Sequence, residues 1–240
     1  MNVEVVDGAR LPGHAARHIA RLLGEAVDHR GSATLALSGG STPATMLAAL
    51  ADLEVPWHVV HVFQVDERIA PDGDPDRNLG SLVADLLDRL PADAVPGGVY
   101  PMPAAAALAG DRAAQEAANR YADELSRVAG DPPALDVVHL GIGDDGHTAS
   151  LVPGDPVLEI ADRDVAVTGP YRGRRRLTMT YPVLARACNL VWLVAGADKA
   201  DALRRLVGQD ATIPAGRVRR ERAVVFADSQ AASELRRSGS

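Results

Sequence analysis

The residues best suited to catalysis are an aspartate and a histidine two positions apart, Asp145 and His147, in the stretch LGIGDDGHTASL. The apolar run LDVVHL before it predicts a strand that ends in a glycine-rich turn. A neighbouring carboxylate can select the tautomer of an imidazole and stabilise the imidazolium. The spacing therefore predicts His147 as a general base supported by Asp145. GIGDDG also matches the dinucleotide pattern GxGxxG, but two aspartates would then face the pyrophosphate, so we interpret these glycines as a turn.

The stretch LALSGGSTP (Leu35–Pro43) is typical of an anion site. An apolar strand stops at small residues, and Thr42 followed by Pro43 predicts a helix with Thr42 as its N-cap. Backbone N–H groups at the positive end of a helix dipole bind phosphate readily. The simpler alternative is a tight turn that binds nothing, and the nucleoside-triphosphate pattern GxxxxGK[ST] is absent from the sequence.

Charged residues follow the apolar run VVHVFQV (Val59–Val65) as Asp66, Glu67 and Arg68. In open α/β sheets such a position, after the carboxyl end of a strand, faces the ligand crevice. A solvated charge cluster would have the same composition. The stretch DPDRN (Asp74–Asn78) follows as a loop that could close over a ligand.

Two more segments supply cations. YRGRRRLTMTYPVL (Tyr171–Leu184) carries arginines whose forked groups match phosphate geometry, at Arg172, Arg174, Arg175 and Arg176. In VAGADKADAL, Lys199 is predicted in the first turn of a helix, where a lysine opposes the dipole and a ligand role is therefore favoured. A solvated basic loop is the alternative for at least two of the arginines. The histidines other than His147, His139 among them, are interpreted as surface or packing residues, and no metal-ligand pattern is visible in the sequence.

The bulk composition bounds the partners. The chain has 240 residues and a net charge of −7, which argues against nucleic-acid or anionic-membrane partners but allows a small anionic substrate. Its single cysteine, Cys188, excludes an intrachain disulfide. Without a leader pattern or an apolar run near the ~20 residues of a membrane span, a cytoplasmic protein is expected.

Short β-rich runs alternate with helical stretches, which predicts one α/β domain over residues 1–240. Strands that are apolar throughout indicate a mainly parallel open sheet with helices on both faces. The predicted strands are Val3–Val6, Thr34–Leu37, Val59–Val65, Asp136–Leu140, Val165–Thr168, Leu190–Ala195 and Ala223–Phe226. The predicted helices are Gly13–Asp28, Pro43–Ala51, Leu79–Arg89, Asp111–Val128, Lys199–Val207 and Gln230–Arg237.

In this order, LALSGGSTP, VDER, GIGDDGHTASL, RRLTMT and VAGADKA resemble the 6-phosphogluconolactonase family over nearly the whole chain. The resemblance implies the modified Rossmann fold shared with glucosamine-6-phosphate deaminases and ribose-5-phosphate isomerases. It implies hydrolysis of 6-phospho-D-glucono-1,5-lactone to 6-phosphogluconate in the oxidative pentose phosphate pathway, without metal or organic cofactor. The expected partner is this small-molecule substrate, and the expected state is a monomer or small homo-oligomer.

The resemblance also implies roles for single residues. His147 takes the place of the catalytic base and Asp145 that of its partner, while Asp66 and Arg68 match an active-site pair of acid and arginine. The implied phosphate ligands are Gly40, Ser41, Thr42, Arg176 and Lys199. The chain departs from the family pattern SPKPPPxR, since it reads GPYRGRRR, with Tyr171 where a lysine is common. The shape of this loop, and which arginine reaches the ligand, stay open.

Two alternatives remain at the level of sequence. An amino-sugar-phosphate isomerase or deaminase resembles the chain at GIGxDGH, but usually carries a glutamate shortly after the histidine. Here the first acid after His147 is Asp155, beyond Pro153, which favours the lactonase. The other alternative is a sugar-phosphate-binding regulator without turnover, which the presence of both Asp145 and His147 disfavours.

Overall fold

The computed structural model describes residues 1–219 and 221–239, except for the side chains of Ser41 and of residues 236–239. The strands are β1 (Asn2–Val5), β2 (Ala33–Leu37), β3 (Val60–Gln64), β4 (Asp66–Arg68), β5 (Gly98–Tyr100), β6 (Val137–Leu140), β7 (Val165–Val167), β8 (Arg176–Met179), β9 (Asn189–Val194) and β10 (Ala223–Ala227). The α-helices are α1 (Leu11–Arg30), α2 (Ser41–Ala51), α3 (Asn78–Asp85), α4 (Asp111–Ala129), α5 (Tyr181–Arg186) and α6 (Ala200–Val207).

The main sheet is seven-stranded, in the order β1-β10-β9-β6-β2-β3-β5, and every pairing in it is parallel. A second sheet of three antiparallel strands, β4-β8-β7, adjoins it. The expected mainly parallel α/β sheet is therefore confirmed. The predicted strand Val165–Thr168 lies in the second sheet, and β4, β5 and β8 were not anticipated because three or four residues carry too little periodicity to be recognised.

Helices cover both faces of the main sheet, as expected. Helix α1 buries Ala15, Ile19 and Leu23, an i, i+4 series, against the face that α2 and α3 also cover. Helices α4 and α6 bury alanine and leucine side chains on the opposite face. The central strand β2 is buried along its whole length, so its apolar sequence is explained by two covered faces. Among the described residues, no helix has the length and apolarity that crossing a membrane requires.

The strand order creates a crevice beside β2. After β2 the chain continues into β3 on one side. After β6, the other neighbour of β2, it first forms β7 and β8 of the second sheet and then returns to the main sheet as β9, on the opposite side. The loops that leave β2 and β6 therefore diverge at the carboxyl ends of these strands. Ligands of open α/β sheets bind at such a switch point. Topology thus places SGGSTP and GIGDDGH side by side.

Two predicted helix starts are corrected. Helix α2 begins at Ser41 with Gly40 as its N-cap, so Thr42 lies within the first turn and its side chain makes no capping hydrogen bond. Gly40 has φ 120°, a conformation that favours glycine and brings the helix start forward. Helix α6 begins at Ala200, and Lys199 ends the short 3₁₀ turn before it. Lys199 is therefore the N-cap of α6 and not, as the sequence predicts, a residue of its first turn.

Candidate functional site

A cleft of about 210 Å³ opens at the carboxyl ends of the central strands. Most of the predicted site residues line it, namely Gly40, Thr42, Asp66, Arg68, His147, Arg176 and Lys199. Asp145 stands behind His147 rather than on the cleft wall. The side chain of Ser41 lies outside the described part of the chain, although its backbone begins α2. Candidate residues from several separate strands, helices and loops therefore lie around the same cleft.

The histidine and the aspartate form a hydrogen-bonded pair. The Nδ1 atom of His147 lies 2.6 Å from Oδ1 of Asp145, and the same oxygen accepts the backbone N–H of His147 at 3.0 Å. Burial opposes ionisation of Asp145, but these bonds and the neighbouring imidazole outweigh it and hold the pKa of Asp145 below its ordinary value. An ionised Asp145 selects the tautomer with its proton on Nδ1, so Nε2 of His147 is left free as a base.

The turn that carries this pair depends on glycine. The N–H of Gly143 donates to the carbonyl of His147 at 2.9 Å, and the N–H of Gly146 donates to the carbonyl of Gly143 at 3.0 Å. A Cβ at Gly143 would lie 2.1 Å from Nδ1 of His147 and 2.6 Å from Oδ1 of Asp145. The glycine therefore leaves the space in which the imidazole and the carboxylate meet.

The opposite part of the cleft is built from the start of α2. The first N–H groups of a helix have no partner within it, so the backbone at Gly40, Ser41 and Thr42 presents donors at the positive end of the dipole. Gly39 allows this loop to approach α3, because a Cβ there would lie 2.0 Å from Oδ1 of Asn78. This arrangement suits an anion.

The second sheet turns two arginines toward the same cleft. In the antiparallel pairing of β4 and β8, Arg68 stands directly opposite Arg176, and Asp66 directly opposite Thr178. Opposite residues share a face of a sheet, and like charges in that position repel each other. Arg176 is only 7% exposed, and its buried Nε has no hydrogen-bond partner among the described residues. Burial lowers the pKa of Arg176 from its ordinary value, so an anion in the cleft would stabilise its charge.

Asp66 lies beside these arginines without an ion pair to Arg68. It accepts a hydrogen bond of 2.6 Å from the hydroxyl of the buried Ser150, which is itself 3.4 Å from Nη1 of Arg176. Burial raises the pKa of Asp66. The sequence analysis does not predict Ser150 as a site residue. Its position in GHTASL, three residues after His147, is the signal that could have indicated it. Ser150 connects the turn after His147 with strands β4 and β8 of the second sheet.

The structure separates the four arginines of the β7–β8 loop. Arg172 and Arg176 line the cleft. Arg174 forms ion pairs of 3.0 Å with Asp74 and with Asp76, and thereby ties the loop Asp72–Asp76 to the hairpin. Arg175 pairs with Asp111 at 2.5 Å. Arg172 and Arg176 are therefore the arginines placed to meet a ligand.

Lys199 enters the cleft from the end of β9. Its Nζ lies 2.9 Å from a carboxylate oxygen of Asp198, which is mostly exposed. The lining thus holds four permanent cations, Arg68, Arg172, Arg176 and Lys199, against two carboxylates, Asp66 and Asp144. A locally positive cleft in an acidic protein favours a small anionic ligand.

The expectation that Glu67 faces the crevice together with Asp66 and Arg68 is wrong, because Glu67 turns away from the cleft and holds this wall in place. Glu67 is fully buried and accepts the backbone N–H groups of Asn78 at 2.7 Å and Leu79 at 2.9 Å, at the start of α3. Its Oε2 also lies 3.1 Å from Nε of the buried Arg77, an ion pair that is not aligned as a hydrogen bond. Glu67 therefore locks β4 to α3 while its neighbours Asp66 and Arg68 face the cleft.

His139 is buried in β6, as its packing interpretation requires, but it also borders the cleft. Neither ring nitrogen has a hydrogen-bond partner among the described residues. Burial lowers its pKa to about 4, so the ring is neutral near pH 7. Among the described residues, no cluster of three histidine, cysteine or acidic side chains is arranged to hold a metal ion.

The chain is similar to the proteins of one known family. The family model described as "Glucosamine-6-phosphate isomerases/6-phosphogluconolactonase" matches residues 7–226. A 6-phosphogluconolactonase from Synechocystis sp. is 42% identical over 187 residues, or 78% of this chain and 76% of that protein. A 6-phosphogluconolactonase from Mycobacterium tuberculosis is 35% identical over 238 residues, or 95% of this chain and 96% of that protein.

Solved structures share the fold. The structure of 6-phosphogluconolactonase from Trypanosoma brucei has a TM-score of 0.83 and 25% identity, covering 98% of each chain. A monomeric glucosamine-6-phosphate deaminase has a TM-score of 0.81 at 20% identity, covering 98% of this chain and 100% of the other, and so shares the fold alone. The resemblance inferred from the motifs is confirmed. This chain belongs to the family of glucosamine-6-phosphate isomerases and 6-phosphogluconolactonases.

Proposed function

We propose that this protein hydrolyses 6-phospho-D-glucono-1,5-lactone to 6-phosphogluconate, as a cytoplasmic step of the oxidative pentose phosphate pathway. The observation that carries the proposal is the pairing of His147 with Asp145 in a cleft whose other walls present helix N–H groups and the guanidinium groups of Arg68 and Arg176. The close relatives named 6-phosphogluconolactonase support the choice of substrate. We further infer that residues 1–240 act as a single domain, as a monomer or small homo-oligomer.

In the proposed mechanism, Nε2 of His147 accepts a proton from water while the water oxygen attacks the lactone carbonyl carbon. The new C–O bond produces a tetrahedral oxyanion, which the guanidinium group of Arg68 stabilises. The intermediate then collapses, the bond to the ring oxygen breaks, and the imidazolium of His147 returns its proton to that oxygen. Asp145 stays ionised throughout and keeps the imidazole oriented. Acid–base assistance of this kind contributes about 10²–10⁴-fold to the rate.

The phosphate of the substrate is assigned to the other part of the cleft. The N–H groups at Gly40, Ser41 and Thr42, together with Arg176 and Lys199, would hold it by charge-assisted hydrogen bonds. This binding fixes the lactone carbonyl beside His147, and positioning converts binding energy into rate. Asp66 accepts a hydrogen bond from Ser150 and thereby helps to hold β4 and β8, the strands that carry Arg68 and Arg176, in register.

The test is a lactonase assay on paired variants. His147→Ala should lose at least about 100-fold in kcat with little change in KM, because the base acts only in the reaction. Arg176→Ala should instead raise KM by about tenfold or more, because it removes a charged contact with the phosphate. His58→Ala is the matched control, since His58 is exposed and does not line the cleft. Rates are corrected for spontaneous hydrolysis of the lactone. Near-normal kcat in His147→Ala would exclude His147 from the mechanism.

The same preparation decides between the two activities of the family. Release of ammonia from glucosamine 6-phosphate, without hydrolysis of the lactone, would replace the lactonase proposal by a deaminase. The absence of an acid between His147 and Asp155 leads us to expect no ammonia. Binding of 6-phosphogluconate without any turnover would instead indicate a sugar-phosphate-binding regulator.

A further inference from the structure

Tyr171 lies at the tip of the β7–β8 hairpin, where the chain departs from the family pattern. Its N–H donates to the carbonyl of Arg174 at 2.9 Å, and the N–H of Arg174 donates back at 3.2 Å. The two residues between them, Arg172 and Gly173, have φ values of 50° and 79°. Two consecutive left-handed residues form the turn that matches the twist of a hairpin. The loop therefore has a defined shape without the missing prolines, and it points Tyr171 at the site.

The hydroxyl of Tyr171 donates to Oδ2 of Asp145 at 3.0 Å. The other carboxylate oxygen, Oδ1, is the one that meets the imidazole and the backbone N–H of His147. Both oxygens of Asp145 are thus held, one by the base and one by a phenol from another element. A carboxylate held at both ends cannot rotate away from the imidazole.

The ring of Tyr171 makes further contacts with the site. It meets the imidazole of His147 edge to face, with ring centroids 5.5 Å apart. The guanidinium carbons of Arg172 and Arg176 lie 5.3 Å and 5.0 Å from its centroid. Tyr171 therefore packs between the pair Asp145–His147 and two of the arginines that line the cleft. Burial, with the nearby carboxylate of Asp145, raises the pKa of Tyr171, so the phenol remains a donor at neutral pH.

We propose that Tyr171 is a positioning residue, which holds Asp145 through Oδ2 and thereby sets the basicity of His147. This proposal rests on the proposed function only where it is tested by lactonase kinetics. The phenol withdraws negative charge from Asp145, so the carboxylate stabilises the imidazolium less than a free one would. Removing the hydroxyl should favour the imidazolium and leave less of the free base at a given pH. The other charged groups of the cleft are Asp144, Arg172, Arg176, Arg68, Asp66 and Lys199.

Tyr171→Phe tests the proposal because it removes the hydroxyl and keeps the ring contacts. The acid limb of kcat/KM for 6-phosphogluconolactone should move upward by about 0.5 pH unit, and kcat on the plateau should fall about threefold to tenfold. Tyr181→Phe is the matched control, since the hydroxyl of Tyr181 donates one bond of 3.0 Å to the carbonyl of Pro214 and does not line the cleft. An unmoved acid limb, or the same change in both variants, would overturn the proposal.

An NMR titration keeps this test independent of the substrate. The imidazole signal of His147, assigned by its loss in His147→Ala, should shift its titration midpoint upward in Tyr171→Phe and not in Tyr181→Phe. In an Asp145→Asn background, Tyr171→Phe should cause no further shift, because the carboxylate that transmits the effect is gone. A shift seen in a protein that does not hydrolyse the lactone would refute the proposed function and retain the positioning role. If the titration midpoint of His147 does not change in Tyr171→Phe, the positioning role alone is refuted.

Discussion

Gly143→Ala is expected to disable the site while leaving the fold intact. The added Cβ would lie 2.1 Å from Nδ1 of His147, and ordinary contact begins near 3.4 Å, so the imidazole or the turn must retreat by about 1.3 Å. The carboxylate of Asp145, 2.6 Å from the same Cβ, is displaced as well. A misplacement of about 1 Å at a reacting group costs about 100-fold in rate. We therefore expect kcat to fall about 100-fold and KM to change little, because the anion-binding wall is untouched.

The neighbouring glycine provides the control for this prediction. A Cβ at Gly141 meets no atom within 4 Å, although Gly141 lies on the same loop and also borders the cleft. Neither Gly141 nor Gly143 has a positive φ, so backbone strain does not separate the two variants. Lactonase kinetics and circular dichroism of Gly143→Ala and Gly141→Ala would be compared. If Gly143→Ala keeps kcat within about twofold of the parent protein, the close pairing of His147 with Asp145 is not what catalysis requires.

Two further predictions concern stability. Burial lowers the pKa of His139 to about 4 from an ordinary 6.5, so the unfolded chain binds the extra proton between these values and native stability falls as the pH drops through them. His139→Leu should remove this loss of unfolding free energy, which is about 2 kcal/mol at pH 5. Urea unfolding of the variant and the parent protein at pH 5 and pH 7.5 measures it. An equal change in unfolding free energy between the two pH values in both proteins would contradict the prediction. Glu67→Gln should cost about 3 kcal/mol, because it leaves Arg77 buried beside a neutral group. Urea unfolding against the exposed control Glu124→Gln measures this, and a loss as small as that of the control would show that Glu67 does not lock β4 to α3.

The alternation of apolar runs and helical stretches was enough to predict the parallel sheet and its two helical layers. The inner strands β2 and β6 are buried along their whole length, and strands covered on both faces have continuous apolar sequences. The edge strand β1 is only partly buried. The second sheet could not be predicted in the same way. Its strands β4 and β8 are short and lie far apart in the sequence. No local sequence pattern therefore predicts that Arg68 stands opposite Arg176.

The residues of the candidate site likewise fall into those that the sequence indicates and those that only the packing reveals. The sequence by itself determined which side chains carry the chemistry, since His147, Asp145 and the glycine-rich loops are recognisable from residue type and spacing. Only the tertiary structure decided that Arg172 and Arg176 meet the cleft, that Glu67 is buried behind it, and that Tyr171 holds Asp145. The physical reason is that residue type and spacing report local geometry, whereas these contacts depend on how separate strands and loops pack against one another.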